Sequence, residues 1–143
     1  MQQLQQSTGR QAAFVTGASY GIGAATALAL ARDGYDLAVA ATRIENLANV
    51  VTELEATGAR VVPMALDVRS QSSIEQAMAL ALGALGRVDL LVNNAGITLR
   101  KLALEVTAEE WDAVIRTNLT GSFFMSQQMG RHLIGSGRAG CIV

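Results

Sequence analysis

Aromatic residues are scarce in this chain (4%), charged residues make up only 16%, and there is one cysteine, one proline, one histidine and one tryptophan. Each scarcity excludes something. The lone cysteine, Cys141, cannot close an internal disulfide. No His/Cys/Asp cluster has the spacing of metal ligands, so no metal site is expected. His132 has no acid or nucleophile at a recognisable spacing; it is expected at a surface or interface and not as a general base. Basic side chains number 11 against 12 acidic ones, a net charge of -1 with no basic stripe, which argues against nucleic acid or an anionic membrane as partner. No apolar run approaches the roughly 20 residues that span a bilayer. The opening MQQLQQSTGR is polar and has no apolar signal core, so residues 1–10 are expected to form a loose tail. Cytoplasm is the default compartment that remains.

What is present is apolar. Half of the 143 residues are hydrophobic, enough for one domain, residues 11–143, with a core of its own. Two periodicities alternate along it. AAFVT (12–16), DLAVAA (36–41), RVVPMALDV (60–68), VDLLVNN (88–94) and GCIV (140–143) read as short buried strands. Residues 21–33, 44–57, 72–85 and 108–134 read as helices, the last with room for a break. Ser72 with Glu75, and Thr107 with Glu110, have the spacing of a capping box. Gly34 and Gly58 fall where C-terminal caps belong. Trp111 and the stripe FFMSQQM (123–129) are expected to pack, and Pro63 marks its strand as bent or at an edge. The alternation predicts an α/β fold: three layers, a doubly wound parallel sheet, right-handed crossovers and helices on both faces.

The first strand runs into TGASYGIG, residues 16–23, and a helix follows. Gly17 is expected to permit the tight turn, Gly21 to let a ligand approach the backbone, and Gly23 to let helix and strand pack closely. A helix N-terminus offers free N–H groups and partial positive charge, a seat for a diphosphate. Ser19 adds a hydroxyl donor, and Tyr20 and Ile22 complete the loop. A flexible glycine-rich turn with no ligand is the plainer alternative; within a βαβ unit the binding reading is favoured. A dinucleotide's adenosine ribose is met about 20 residues on. There the chain reads AVAATRIENL, with no acidic residue near Ala41 but with Thr42 and Arg43, donors suited to a 2′-phosphate. Arg43 as a solvated first-turn residue is the alternative. The chemistry favours NADP(H) over NAD(H).

Three further features follow in order: Asp67-Val68 after the third strand, NNAG (93–96) after the fourth, and Asn118 in RTNLTGSFF on the long helix. Together with the glycine loop they resemble the short-chain dehydrogenase/reductase family, over residues 12–143. The resemblance implies a Rossmann fold and reversible carbonyl/alcohol interconversion by hydride transfer with a nicotinamide cofactor. By position, Asp67 is similar to the residue that reaches the adenine amino group, with Val68 against the ring; a helix-capping aspartate is the structural alternative. Asn94, Ala95 and Gly96 resemble the segment that passes the nicotinamide-side ribose, while Asn93 is expected to tie neighbouring strands through its amide. Asn118 is similar to the family's active-site asparagine, which holds a water in a proton relay; a buried Asn bonded to local backbone is the alternative. NNAGIT with EEWDAVIRTNLTG looks most like the 3-oxoacyl-carrier-protein reductases, with a carrier-linked or small-molecule carbonyl substrate. Sugar-acid and polyol dehydrogenases share much of this pattern. A homodimer or homotetramer of the complete protein is also implied.

The family's proton donor is a tyrosine in Tyr-x-x-x-Lys, assisted by a serine; a phenol with pKa near 10 needs the nearby cation to work at neutrality. The chain's tyrosines, Tyr20 and Tyr35, and its lysine, Lys101, do not have that spacing. Two readings follow. The chain is the cofactor-binding part of a longer enzyme, cut short after the fifth strand, or it is a dinucleotide-binding module without turnover. The first is favoured, because a terminal strand would leave an unpaired sheet edge.

Overall fold

The computed structural model describes residues 9–143; most of the expected tail, residues 1–8, lies outside the described residues. The sheet is built from β1 (Ala12–Thr16), β2 (Asp36–Ala41), β3 (Val61–Ala65), β4 (Leu90–Val92) and β5 (Cys141–Ile142). Its order is β3-β2-β1-β4-β5, and every neighbouring pair is parallel. Strand side chains alternate between two cores. Ala13, Val15, Leu37 and Val39 join the cluster formed with α1 (Gly21–Arg32) and α2 (Ala48–Glu55). Phe14, Ala38 and Ala40 join the opposite cluster, with α3 (Gln71–Leu85) and Met125 and Met129 of α5 (Ser122–Ser136). Both faces of the sheet are therefore covered, which is why β1 and β2 are apolar throughout and not alternating. This is the expected three-layer, doubly wound α/β architecture.

In α1 the buried residues are Gly23, Ala27 and Ala31, a stripe at intervals of four that brings the helix close to the sheet. Gly34 (φ +93°) and Gly58 (φ +83°) end α1 and α2 as expected. Arg10 stitches those two ends together, donating from Nε to Gly34 O and from Nη1 to Gly58 O, each at 2.9 Å. Pro63 lies in β3, an edge strand, opposite Val39. The open edge at β5 is exposed. Asp89, nearly buried, accepts from Ala12 N (2.9 Å) and from both Nε and Nη2 of Arg87 (2.7 Å each), tying the starts of β1 and β4.

Several expectations need correction. The α3 cap is Ser70, whose Oγ accepts from Ser73 N (3.3 Å), so the helix starts before Ser72 and the Ser72–Glu75 box does not form. Ser72 Oγ instead lies 3.1 Å from Ser70 Oγ, and Glu75 accepts from Gln71. The Thr107–Glu110 box does form, at the start of α4 (Ala108–Ile115). The segment expected as one helix over 44–57 opens as a tight 3₁₀ turn, Ile44–Leu47. The long helix does contain the break allowed for it: it divides into α4, a π-helical turn at Arg116–Gly121, and α5. Hydroxyls bond back along that turn: Thr117, within it, donates to Ala113 O, and Ser122, just after it, to Asn118 O, each at 2.9 Å. Trp111 is not packed; it is 61% exposed. His132 is half-buried, its Nε2 accepting from Val88 N at 3.4 Å.

Candidate functional site

Above the C-terminal ends of β1 to β4 lies a cleft of about 760 Å³. Its floor is the loop from Gly17 to Ile22, with Ser19, Tyr20 and Gly21 along it. The three glycines are there for different reasons. A Cβ on Gly17 would meet Ala95 Cα at 2.9 Å, so the loop is pressed against the end of β4. A Cβ on Gly23 would collide with Gly17 O and Asn94 Nδ2. At Gly21 (φ +59°) a Cβ would meet nothing within 4 Å: the space above it is open cleft. Tyr20 and Ile22 are 83% and 79% exposed on either side. No side chain caps α1, and its first turn holds no acidic residue, unlike α4 with its capping box and Glu109 and Glu110. The N-terminal N–H groups of α1 thus face the cleft without a competing anion from that turn.

One side chain, Thr16, holds the loop and the β4 end together. Its buried Oγ1 accepts from Asn94 N (3.0 Å) and Ala95 N (2.9 Å) and donates to Val92 O (3.4 Å). Asn94 returns the tie, donating from Nδ2 to Thr16 O (3.1 Å) and Gly17 O (2.9 Å). The strand tie expected of Asn93 therefore belongs to Asn94. Asn93 points the other way, its Nδ2 donating to Ser126 Oγ at 3.1 Å. Thr16 was missed in the sequence; its signal is a lone hydroxyl ending an otherwise apolar strand.

Thr42 lines the cleft at the end of β2, joined by Asn46, which sequence reasoning did not single out. Arg43 stands outside the wall with its side chain 77% exposed, 3.9 Å from the Glu45 carboxylate. After β3, Asp67, Val68 and Arg69 line the cleft. The Asp67 carboxylate does not cap α3; it pairs with Arg69, whose hydrogen bonds hold it below the usual carboxylate range. Asp67 and Arg69 are the charged residues of the wall and offset each other. Backbone N–H groups are then the main complement for a bound anion.

Asn94, Ala95, Gly96 and Ile97 form the far wall, with buried Thr117 beside them. Asn118 sits behind this wall, in the π-helical turn. It is exposed, not buried, and its partner is distant in sequence: Oδ1 accepts from Ile97 N and Nδ2 donates to Ile97 O, both at 2.8 Å. The carboxamide thus pairs with Ile97 as a neighbouring strand would and fixes the loop after Gly96. Gly121, in the same turn, packs on Val68; a Cβ there would lie 2.8 Å from Val68 Cβ. The π-helical turn therefore touches both the β3 and β4 walls.

The fold is a doubly wound α/β sheet with a cleft at the carboxyl ends of its strands and an open glycine turn at a helix N-terminus. The family model for short chain dehydrogenase matches residues 11–143, and the chain belongs to the short-chain dehydrogenase family. It is 40% identical to a 3-oxoacyl-[acyl-carrier-protein] reductase of Synechocystis sp., over 87% of this chain and 51% of that protein. It is 35% identical to the 2-dehydro-3-deoxy-D-gluconate 5-dehydrogenase of Escherichia coli, over 92% of this chain and 51% of that one. An alcohol dehydrogenase of the archaeon Thermococcus sibiricus, solved with 5-hydroxy-NADP, superposes with a TM-score of 0.85 at 36% identity, over 93% of this chain and 57% of that one. The chain spans about half the length of the curated relatives it matches.

Proposed function

We propose that the chain binds NADP(H) in the cleft, with the diphosphate against the N–H groups that open α1. We propose further that the protein of which it is the cofactor-binding part interconverts a carbonyl and an alcohol. The observation that carries this reading is the contrast at the glycines: Gly17 and Gly23 are closed in by neighbours while Gly21 opens on the cleft. When bound, the nicotinamide would supply or accept the hydride. The chain's own residues bind and orient: Ser19 and the α1 N-terminus toward phosphate, Thr42 toward the adenosine ribose, Asn94 to Gly96 toward the nicotinamide side, with Asn118 holding Ile97 behind them.

The preference for NADP(H) rests on the absence of an acid at the end of β2, where Ala41 and Thr42 stand, and on Arg43 at the rim. An exposed Arg43 with only a 3.9 Å contact to Glu45 is free to swing to a 2′-phosphate. Calorimetric titration with NADPH and NADH tests this. NADPH is expected to bind more tightly, and Arg43→Ala to weaken it by about 1.5–3 kcal/mol with little effect on NADH. Equal losses for both cofactors would remove the NADP argument. The chain alone, without a Tyr-x-x-x-Lys pair, is expected to reduce no carbonyl above background. A carrier-linked 3-oxoacyl group is the proposed substrate class, with a sugar acid or polyol as the alternative; both kinds of relative align over the same residues. A homodimer or homotetramer in the cytoplasm is proposed for the complete protein. Among the described residues, no helix is long and apolar enough to cross a membrane.

A further inference from the structure

The segment from Asn93 to Ile97 is fastened at its start, its middle and its end, and both ends are held by the same stretch of helix. At the far end Ile97 pairs with Asn118 of the π-helical turn, at 2.8 Å in both directions. In the middle, Asn94 N and Ala95 N donate to Thr16 Oγ1. At the near end Asn93 Nδ2 donates to Ser126 Oγ, in α5, at 3.1 Å. The direction of that bond follows from what Ser126 does with its own proton. Its hydroxyl donates to Ser122 O at 2.7 Å, so toward Asn93 it can only accept. Ser122 repeats the pattern one turn earlier, donating to Asn118 O at 2.9 Å. One polar line therefore runs from Asn93 through Ser126 and Ser122 to Asn118, and returns to the wall at Ile97.

Helix formation does not account for these hydroxyls, because a serine that bonds back to the carbonyl four residues earlier slightly weakens its helix. Nor does core packing, which Met125 and Met129 supply on the same helix. What Ser126 adds is an acceptor for Asn93, whose Oδ1 is buried with no partner among the described residues, so its side chain is held through Nδ2. We propose that Ser126 is a positioning residue for the nicotinamide half of the cofactor. It fixes the start of the wall as Asn118 fixes its end, and Asn94, Ala95 and Gly96 stand between the two. Ser126 itself does not line the cleft. The inference rests on the dinucleotide reading above. Its effect is confined to one half of the ligand, because Asp67 on the opposite wall is held by other partners, Ser73 and Arg69.

The test compares calorimetric titrations of the whole chain with NADPH and with adenosine 2′,5′-bisphosphate, which lacks the nicotinamide half. Ser126→Ala leaves Asn93 Nδ2 without its acceptor. It is expected to weaken NADPH by about five- to tenfold and the bisphosphate by less than about twofold. Asn93→Ala is expected to give the same selective loss, and the double variant no more than either alone, because both act through one bond. Circular dichroism melting accompanies each variant, since a general loss of stability weakens both ligands alike. Several results overturn the role of Ser126 and leave the dinucleotide site standing: equal losses for both ligands, single losses that add in the double variant, NADPH affinity unmoved by Ser126→Ala, or a Ser126→Ala chain that no longer folds. A wild-type chain that binds NADPH no more tightly than the bisphosphate does the same. A wild-type chain that binds neither overturns both readings.

Discussion

Gly21 and Gly23 stand two residues apart and are needed for opposite reasons. Gly21→Ala adds a methyl to empty space and costs only the strain of a left-handed turn, about 1–2 kcal/mol. It is expected to stay folded and lose dinucleotide affinity, because the methyl takes the place of the phosphate. Gly23→Ala drives a methyl into Gly17 O and Asn94 Nδ2 and is expected to lower the thermal midpoint before binding is measured at all. Circular dichroism melting beside calorimetric titration separates the two; a Gly21→Ala chain with unchanged affinity would contradict the loop assignment. Thr16→Val leaves the N–H groups of Asn94 and Ala95 without their acceptor and should cost about 1–3 kcal/mol in urea unfolding. Spacing made the glycines and Asp67 legible. It did not reveal Thr16, Asn46 or Arg69, whose contacts depend on how the loops after β2, β3 and β4 turn toward each other. The strand tie expected of Asn93 falls to Asn94, which also lines the cleft, for the same reason: adjacent amides look alike until the backbone shows which one faces β1.

Helix ends show how far local rules carry. Thr107 with Glu110 satisfies both halves of a capping box, and both hydrogen bonds form. Ser70, Ser72 and Ser73 lie close together, so the pattern alone does not decide which serine caps α3; the extended backbone at Ser70 does (φ -109°, ψ 116°). Ser70→Ala is expected to cost about 1 kcal/mol. Ser72→Ala should cost less than about 0.5 kcal/mol. Equal losses in urea unfolding would restore the Ser72 box. The strands β1 and β2 match their apolar runs end to end, because both are buried on two faces and flanked by turns. The runs around β3, β4 and β5 are longer than the strands within them, since their ends peel away to line the cleft or lie at an exposed edge. A π-helical turn leaves no signal in hydrophobic periodicity, so the position of Asn118 within it was not readable.

For the molecule as a whole, the two cores hold the sheet and Asp89 locks its lower rim. Burial works to raise the Asp89 pKa, but hydrogen bonds from Arg87 and Ala12 N, with the charges of Arg87 and Arg138, outweigh it and lower the value. A carboxylate depressed in the fold contributes stability above its unfolded pKa, near about 4, and loses it as pH falls through the folded value. Asp89→Asn should therefore cost about 2–3 kcal/mol at pH 7, and the gap to the wild-type chain should shrink in urea unfolding below about pH 4. A gap that does not change with pH would show that the charge is not what matters. The central claim, an anionic dinucleotide seated on bare amides at the start of α1, is tested most directly by amide NMR shifts during NADPH titration of isotope-labelled chain. The account predicts the largest shifts at Ser19 to Ala24, with smaller ones at Asp67, Val68 and Asn94 to Ile97. Shifts confined to other surfaces, or a loop that does not respond while the nucleotide binds, would contradict it.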